Sequence, residues 1–202
     1  FMSRREYKAI NRRLQRGRIT SVKEGKWLGT VTPYGYNKIK LKNQKGYSLA
    51  VDKDQAEVVR IIYELFTKGE LQPDETFKRL GISLIVRRLN EWKIPTVKSD
   101  VWTPSTVRDI LRNPVYIGKI RWNSRPKVKK VVNGQIKCTR PRTKETDWIL
   151  VDGLHKAIID KETWNMTRNF LKTKKDSPIS SNKAIKNPLS GLVVCGMCGR
   201  RM

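Results

Sequence analysis

The residues best suited to chemistry lie near the end of the chain, in Gly191-Leu192-Val193-Val194-Cys195-Gly196-Met197-Cys198-Gly199. Two thiols at CxxC spacing, each followed by glycine, form a knuckle turn. The glycines admit the backbone geometry that turns N–H groups toward the sulfurs, and thiolates so placed ligate zinc. Zinc takes four such ligands, and Cys195 and Cys198 supply two. Cys138 and His155 complete a Cys3His set on paper, but their spacing follows no ligand pattern, so half of a zinc ribbon is the favoured reading. A thioredoxin-type redox pair would need a βαβ setting that this stretch lacks. Three cysteines, an odd number, fit a reducing cytosol and metal binding better than a disulfide framework. His155 is the only histidine and has no carboxylate or serine beside it in sequence, so packing or capping is its expected role. There is no glycine-rich phosphate loop, paired acidic site or nucleophile elbow, and no catalytic residue is assigned.

A second group is set apart by its placement on a helix. Thr103 and Pro104 are a strong helix-start signal, since threonine caps free N–H groups and proline fits the first helical position. From Pro104 to Arg112 the apolar stripe Val107, Ile110 and Leu111 is narrow, leaving Ser105, Thr106, Arg108, Asp109 and Arg112 outside it. Small hydroxyls and arginines on the outer face of a short helix suit the DNA major groove, and they equally suit a solvated face. A helix before it is expected to be capped by Ser83, with Leu84, Ile85 and Leu89 at core spacing, and Pro95 bars its continuation. The two form a helix-turn-helix-like pair. Tyr116 to Trp122, carrying Lys119 and Arg121, reads as a strand.

Charge points to the partner class. Lys plus Arg number 44 against 18 Asp plus Glu, a net +26 with pI near 10.4. Such self-repulsion opposes compaction and normally accompanies a polyanion, so nucleic acid is favoured. A membrane surface is disfavoured, because mean hydropathy is −0.60 and neither a spanning run nor a basic amphipathic anchor stands out. Six tryptophans argue for a folded chain over a basic disordered tail.

The remaining elements are expected to position these groups. Ser3 to Lys26 reads as one helix of about 35 Å. Arg4, Arg5, Lys8, Arg12, Arg13, Arg16 and Arg18 outnumber its thin apolar seam of Tyr7, Ile10 and Leu14, so phosphate contact is favoured over a solvated face. Gly25 to Gly29 breaks it, and Pro33-Tyr34-Gly35-Tyr36 is a turn. A small hairpin pairs Ile39–Leu41 with Ser48–Val51. Asp52 and Gln55 form a capping box for a helix to about Lys68, with Ala56, Val59, Ile62, Tyr63 and Phe66 as core. A second hairpin turns at Asn133-Gly134, and its lysines and arginines, Arg140 and Arg142 included, form a basic wing or an ordinary soluble hairpin. Trp148 to Val151 is a strand, and Asp160 caps a helix to about Lys172 with Trp164, Thr167, Phe170 and Leu171 inward. Beyond it, Lys174 and Lys175 belong to a basic linker that would follow a groove or act as a plain tether.

In order, these motifs resemble the C-terminal part of a large serine recombinase, of integrase or transposase type. The resemblance rests on Arg4 through Arg18, Glu24 to Gly29, Pro33 to Tyr36, the run Trp102-Thr103-Pro104-Ser105-Thr106-Val107-Arg108-Asp109-Ile110-Leu111-Arg112-Asn113-Pro114-Val115-Tyr116-Ile117-Gly118, His155 to Ile159 with Trp164, and the Cys195–Cys198 knuckle. It implies an α+β, mainly helical DNA-binding domain with small β-hairpins, preceded by a long basic helix. Residues 1–26 would end that DNA-crossing helix, 27–172 form the recombinase domain, 173–187 the linker and 188–202 the start of a truncated zinc ribbon. Lys26 joins the basic side chains expected on DNA. In the intact protein the resemblance implies an upstream serine that cuts and rejoins duplex DNA through a phosphoserine, at an attachment or transposon-end half-site. It also implies zinc on Cys195, Cys198 and a second pair, a dimer that meets in a synaptic tetramer, and a cytoplasmic, nucleoid-associated setting. The fragment itself is expected to be inactive alone. A non-enzymatic helix-turn-helix regulator and a basic RNA-binding structural protein remain as alternatives.

Overall fold

In a computed structural model, residues 3–71, 76–97, 101–173, 193–194 and 196–197 are described; at Arg4 and Lys130 only the backbone is. Two compact units divide the chain, Phe1–Asn169 and Phe170–Met202. The architecture mixes helix and strand. Five α-helices alternate with four antiparallel ribbons of two strands each among the described residues.

Helix α1, Arg4–Lys23, starts where Ser3 accepts from Arg5 N–H while Glu6 accepts from Ser3 N–H, a capping box. It ends three residues short of the expected Lys26, because Gly25 takes a left-handed φ of +73°. A side chain there would also collide with the Asp152 carbonyl, 2.7 Å from the Cβ position. Strands β1 (Tyr36–Lys40) and β2 (Tyr47–Val51) form the expected hairpin, with Tyr36 opposite Val51.

Helix α2, Lys53–Thr67, is capped by Asp52, whose carboxylate accepts from Gln55 N–H at 3.2 Å. The returning half of the box is diverted. Gln55 Oε1 accepts from Gly35 N–H (2.9 Å), so the helix start is tied to the preceding turn. Ala56, Val59, Ile62, Tyr63 and Phe66 are all buried, as the 3.6-residue period predicts. Short strands β3 (Glu70–Leu71) and β4 (Phe77–Lys78) pair next.

Helix α3 runs Ile82–Glu91 and corrects two expectations. Ser83 is not its cap: Gly81 holds that position with no side-chain bond, and Ser83 is exposed inside the first turn. Leu84 is half exposed, whereas Val86 is buried with Ile82, Ile85 and Leu89. Starting one residue earlier brings Ile82 into the stripe and rotates Leu84 out of it. The helix also stops before Pro95 has any say. Lys93 adopts φ +53°, Ile94 N–H bonds to Leu89 C=O and Lys93 N–H to Asn90 C=O, a Schellman ending built without glycine.

Helix α4, Pro104–Arg112, has the expected bounds, with Thr103 as cap and Val107, Ile110 and Leu111 buried. It packs on α3 and α2. Beyond it, the strand expected from Tyr116 is shorter. Pro114–Ile117 is a turn of 3-10 helix, Gly118 turns left-handed at φ +78°, and β5 is Lys119–Trp122. The Asn113 side chain caps this turn through Val115 N–H, which Pro114 pre-sets for helical φ. A hairpin of β6 (Val128–Val132) and β7 (Gln135–Thr139) turns at Asn133 and Gly134, both with positive φ as a type I′ turn requires. Strand β8 (Ile149–Asp152) pairs with β5, and α5 (Lys161–Thr173) starts where Asp160 accepts from Thr163 N–H.

Tyrosines lock the core. Tyr34 hydroxyl donates to Pro95 C=O, Tyr63 to Ile110 C=O, Tyr116 to Tyr34 C=O, and Tyr36 to Lys156 or Val115 C=O. Each phenol reaches a carbonyl of a distant segment, so ring burial and polar satisfaction are met together. Burial drives the Tyr36, Tyr63 and Tyr116 hydroxyls to titrate above the ordinary tyrosine value. Trp102 is fully buried edge-on to Tyr34. Its indole N–H donates to Ile94 C=O, and the Asn90 amide brackets its backbone on both sides.

Candidate nucleic-acid interface

The outer face of α4 is where local sequence and packing agree most closely. With Val107 and Leu111 fully buried, helix phase forces Ser105, Thr106, Arg108, Asp109 and Arg112 outward, and all five are exposed. The hydroxyls are already engaged. Thr103 Oγ1 lies 2.9 Å from both Ser105 Oγ and Thr106 Oγ1 and accepts from Thr106 N–H. Arg108 and Arg112 have no ion pair or hydrogen bond among the described residues, which leaves both guanidinium groups free to meet an external acceptor.

Helix α1 presents a longer and less structured surface. Arg5, Arg12, Arg13, Arg16 and Arg18 are exposed and have no ion pair among the described residues. Tyr7, Ile10 and Leu14 are about half exposed, so the seam covers nothing within the chain, and only Val22 at the far end is buried. Lys26 departs from this group. It lies outside the helix with its side chain 12% exposed, its ammonium 2.6 Å from Glu24, and its aliphatic stem against Gly46.

Lys119 and Arg121 are also partly committed inside the fold. Lys119 Nζ is 3.0 Å from Asp152 Oδ1 across the β5–β8 pair. Arg121 is half-buried with its guanidinium 4.9 Å from the centre of the Trp148 ring. Burial, then the like charges of Arg142 and Arg168, hold its guanidinium below the usual arginine value; Asp109 and Glu145 oppose this more weakly. Sequence reasoning placed Arg142 on a basic wing and passed over Arg168. The only available signal was Arg168's position four residues after Trp164 on one face of α5.

His155 behaves as a core residue. Its Nε2 is 2.9 Å from Val115 C=O, its ring meets Tyr36 edge-on, and burial lowers its pKa despite that bond. Cys138, its partner in the paper zinc set, is exposed on β7. Lys174, Lys175, Cys195 and Cys198 lie outside the described residues, as does nearly all of the linker and ribbon start. Within the described residues no cluster of three His, Cys, Asp or Glu could hold a metal.

Against this geometry the family model described as Recombinase matches residues 53–174, more than half of the chain. The chain belongs to the recombinase family. The match spans every helix from α2 to α5, and it bears out the resemblance to large serine recombinases carried by the run from Trp102 to Gly118. A curated Bacillus subtilis (strain 168) protein, provisionally named a DNA recombinase, is 29% identical over 202 residues. That alignment covers 96% of this chain and 37% of the relative, so the chain spans little more than a third of its length. Two solved structures share the recombinase fold at 20% identity, each covering 94% of this chain. One, described as "Sequence Requirements of the Listeria innocua prophage attP site", is covered over 63% of its length with a TM-score of 0.52. The other, described as "Crystal Structure of a LSR-DNA Complex", is covered over 48% with a TM-score of 0.53. Among the described residues no helix is long and apolar enough to cross a membrane.

Proposed function

We propose that this chain is the DNA-binding part of a site-specific serine recombinase, with α3 and α4 acting as a helix-turn-helix pair that delivers α4 to the major groove. The observation that carries this is α4 itself: its apolar side is wholly buried, its cap is built into the sequence, and Arg108 and Arg112 stand free on its outer face. Arginine forks match the acceptor pair of guanine, while hydroxyls and lysines position the backbone. Helix α1 follows the phosphates with Arg5, Arg12, Arg13, Arg16 and Arg18, and the net charge of +26 supplies long-range attraction. The named DNA complex of the similar structure and the named attP site of the other support a duplex DNA partner.

In the intact protein an upstream serine would carry out cleavage and rejoining, within a dimer that pairs into a tetramer, serving a mobile element in a bacterial or phage setting. Cys195 and Cys198 would supply two of the four ligands of a zinc that folds the ribbon. In this chain the residues position DNA and perform no bond-breaking step.

Affinity for a recombination half-site should fall steeply with salt, because each neutralised phosphate releases counterions. Arg108→Ala should cost about 1–3 kcal/mol in a manner that depends on the site sequence. Fluorescence anisotropy with specific and random duplexes measures both. Salt-insensitive binding, or equal affinity for random duplex, defeats the proposal; a loss uniform across sequences makes Arg108 a phosphate contact.

A further inference from the structure

Helix phase ranks the outward residues of α4. At about 100° per residue, the buried stripe of Val107, Ile110 and Leu111 leaves Ser105, Asp109 and Arg112 within about 35° of the direction opposite the core. Thr106 and Arg108 lie on the two flanks, each about 75–85° from that direction. The middle of the outer face is therefore a ridge with a carboxylate at its centre, Ser105 one turn before it and Arg112 one turn after. Among the described residues nothing inside the chain accounts for that carboxylate. Asp109 is exposed and makes neither an ion pair nor a hydrogen bond, although Arg112 stands three residues on and Arg121 of β5 is near enough to feel its charge. The cap of α4 is Thr103, so Asp109 has no free N–H group at the helix start to accept from. It stands instead in the last turn, where the helix dipole disfavours an anion, and aspartate is among the weaker helix formers.

We propose that Asp109 is a specificity-determining residue, accepting a hydrogen bond from the exocyclic amino group of a cytosine in the major groove. The inference rests on the DNA reading above, in which α4 enters that groove. An ionised carboxylate only accepts, so phosphates repel it, as do the N7 and O6 acceptors of guanine. Cytosine offers its N4 amino donor with no acceptor of its own on that edge. Adenine shows an amino donor beside the acceptor N7, and thymine shows only O4 and a methyl group, so both are poorer partners. The ridge completes the match. Arg112 follows Asp109 by about 4.5 Å along the helix axis, against about 3.4 Å between successive bases on one strand. A carboxylate and a guanidinium so spaced suit a cytosine and a guanine in the same or the next base pair. With a net charge of +26 the chain has attraction for DNA to spare, and an acid at the centre of the face penalises every wrong base more than the right one.

The test compares the full chain with Asp109→Ala and Asp109→Asn. The side chain is exposed, so neither substitution opens the core, and urea unfolding verifies that both variants fold. Each protein selects from a randomised duplex library, and the bound fraction is sequenced. The wild type is expected to prefer cytosine at one position by about 5-fold or more, the lower end of what a good side-chain contact to a base contributes. Asp109→Ala should remove that preference and leave the other positions as they were. Asp109→Asn should move it toward adenine, whose N6 and N7 suit an amide. Affinity alone is not the readout, because losing a negative charge strengthens binding to any duplex. If the wild type selects a site and both variants select the same one, the inference is overturned while the DNA reading stands. A gain in affinity for all duplexes with unchanged selection makes Asp109 a plain surface charge and overturns it too. If the wild type selects no sequence at all, the DNA reading falls and takes this inference with it.

Discussion

The core around α2, α3 and α4 and the basic elements α1 and β6–β7 are built on opposite terms. In the core, Trp102, Tyr36, Tyr63 and Tyr116 are almost wholly buried, and the indole N–H and each phenol O–H reach a backbone carbonyl. Along α1, Tyr7, Ile10 and Leu14 stay half exposed, and β7 is exposed at every residue, Ile136 at 69%. One region is specified by contacts inside the chain, the other by local hydrogen bonds and a surplus of positive charge. The DNA-binding role proposed above would use both, a rigid mount for α4 and cations that meet a partner from outside.

The largest expected effect sharpens that contrast. Trp102→Ala should destabilise the fold by about 3–5 kcal/mol, read from urea unfolding, since it opens a cavity and takes the indole donor from Ile94 C=O. Leu14→Ala on α1 should stay within about 0.5 kcal/mol. Comparable losses at the two positions would erase the distinction between the regions. Next in size, Tyr36→Phe should cost about 1–3 kcal/mol, because the Val115 carbonyl in the core and the part-buried Lys156 carbonyl lose the hydroxyl they share. An unchanged unfolding midpoint would show that this hydroxyl contributes nothing to the lock.

The smallest effect concerns pH. His155 has a folded pKa below its ordinary value of about 6.5, because burial disfavours the imidazolium. As pH falls through about 6.5 the unfolded chain takes up a proton that the folded ring refuses, so stability is present above that pH and declines below it until the folded ring also protonates. With only one histidine in the chain, His155→Gln should flatten the slope of unfolding free energy between about pH 6.5 and 5. A slope that survives the substitution would assign the pH dependence elsewhere.

Much of the site was legible in the residues because it depends on local chemistry. Thr103-Pro104 sets where α4 starts, and Val107, Ile110 and Leu111 set its phase; between them they dictate which side Arg108 faces. Asp52, Asp160 and Asn133-Gly134 acted in the same way, each as a short-range signal with one low-energy outcome. Where the reading slipped, a competing signal was near in energy. Ser83 is a better capping residue than Gly81, but burying Ile82 moved the helix start ahead of it.

The sequence by itself determined the net charge of +26 and the start and phase of α4, since charge, caps and period are properties of neighbouring residues. Only the tertiary structure decided which cations remain available. Lys26 folded back onto Glu24, and Lys119 paired across strands with Asp152. Arg121 settled against the ring of Trp148, 27 positions further along the chain. Electrostatic energy depends on distance through space and on burial, and neither is written in the spacing along the chain.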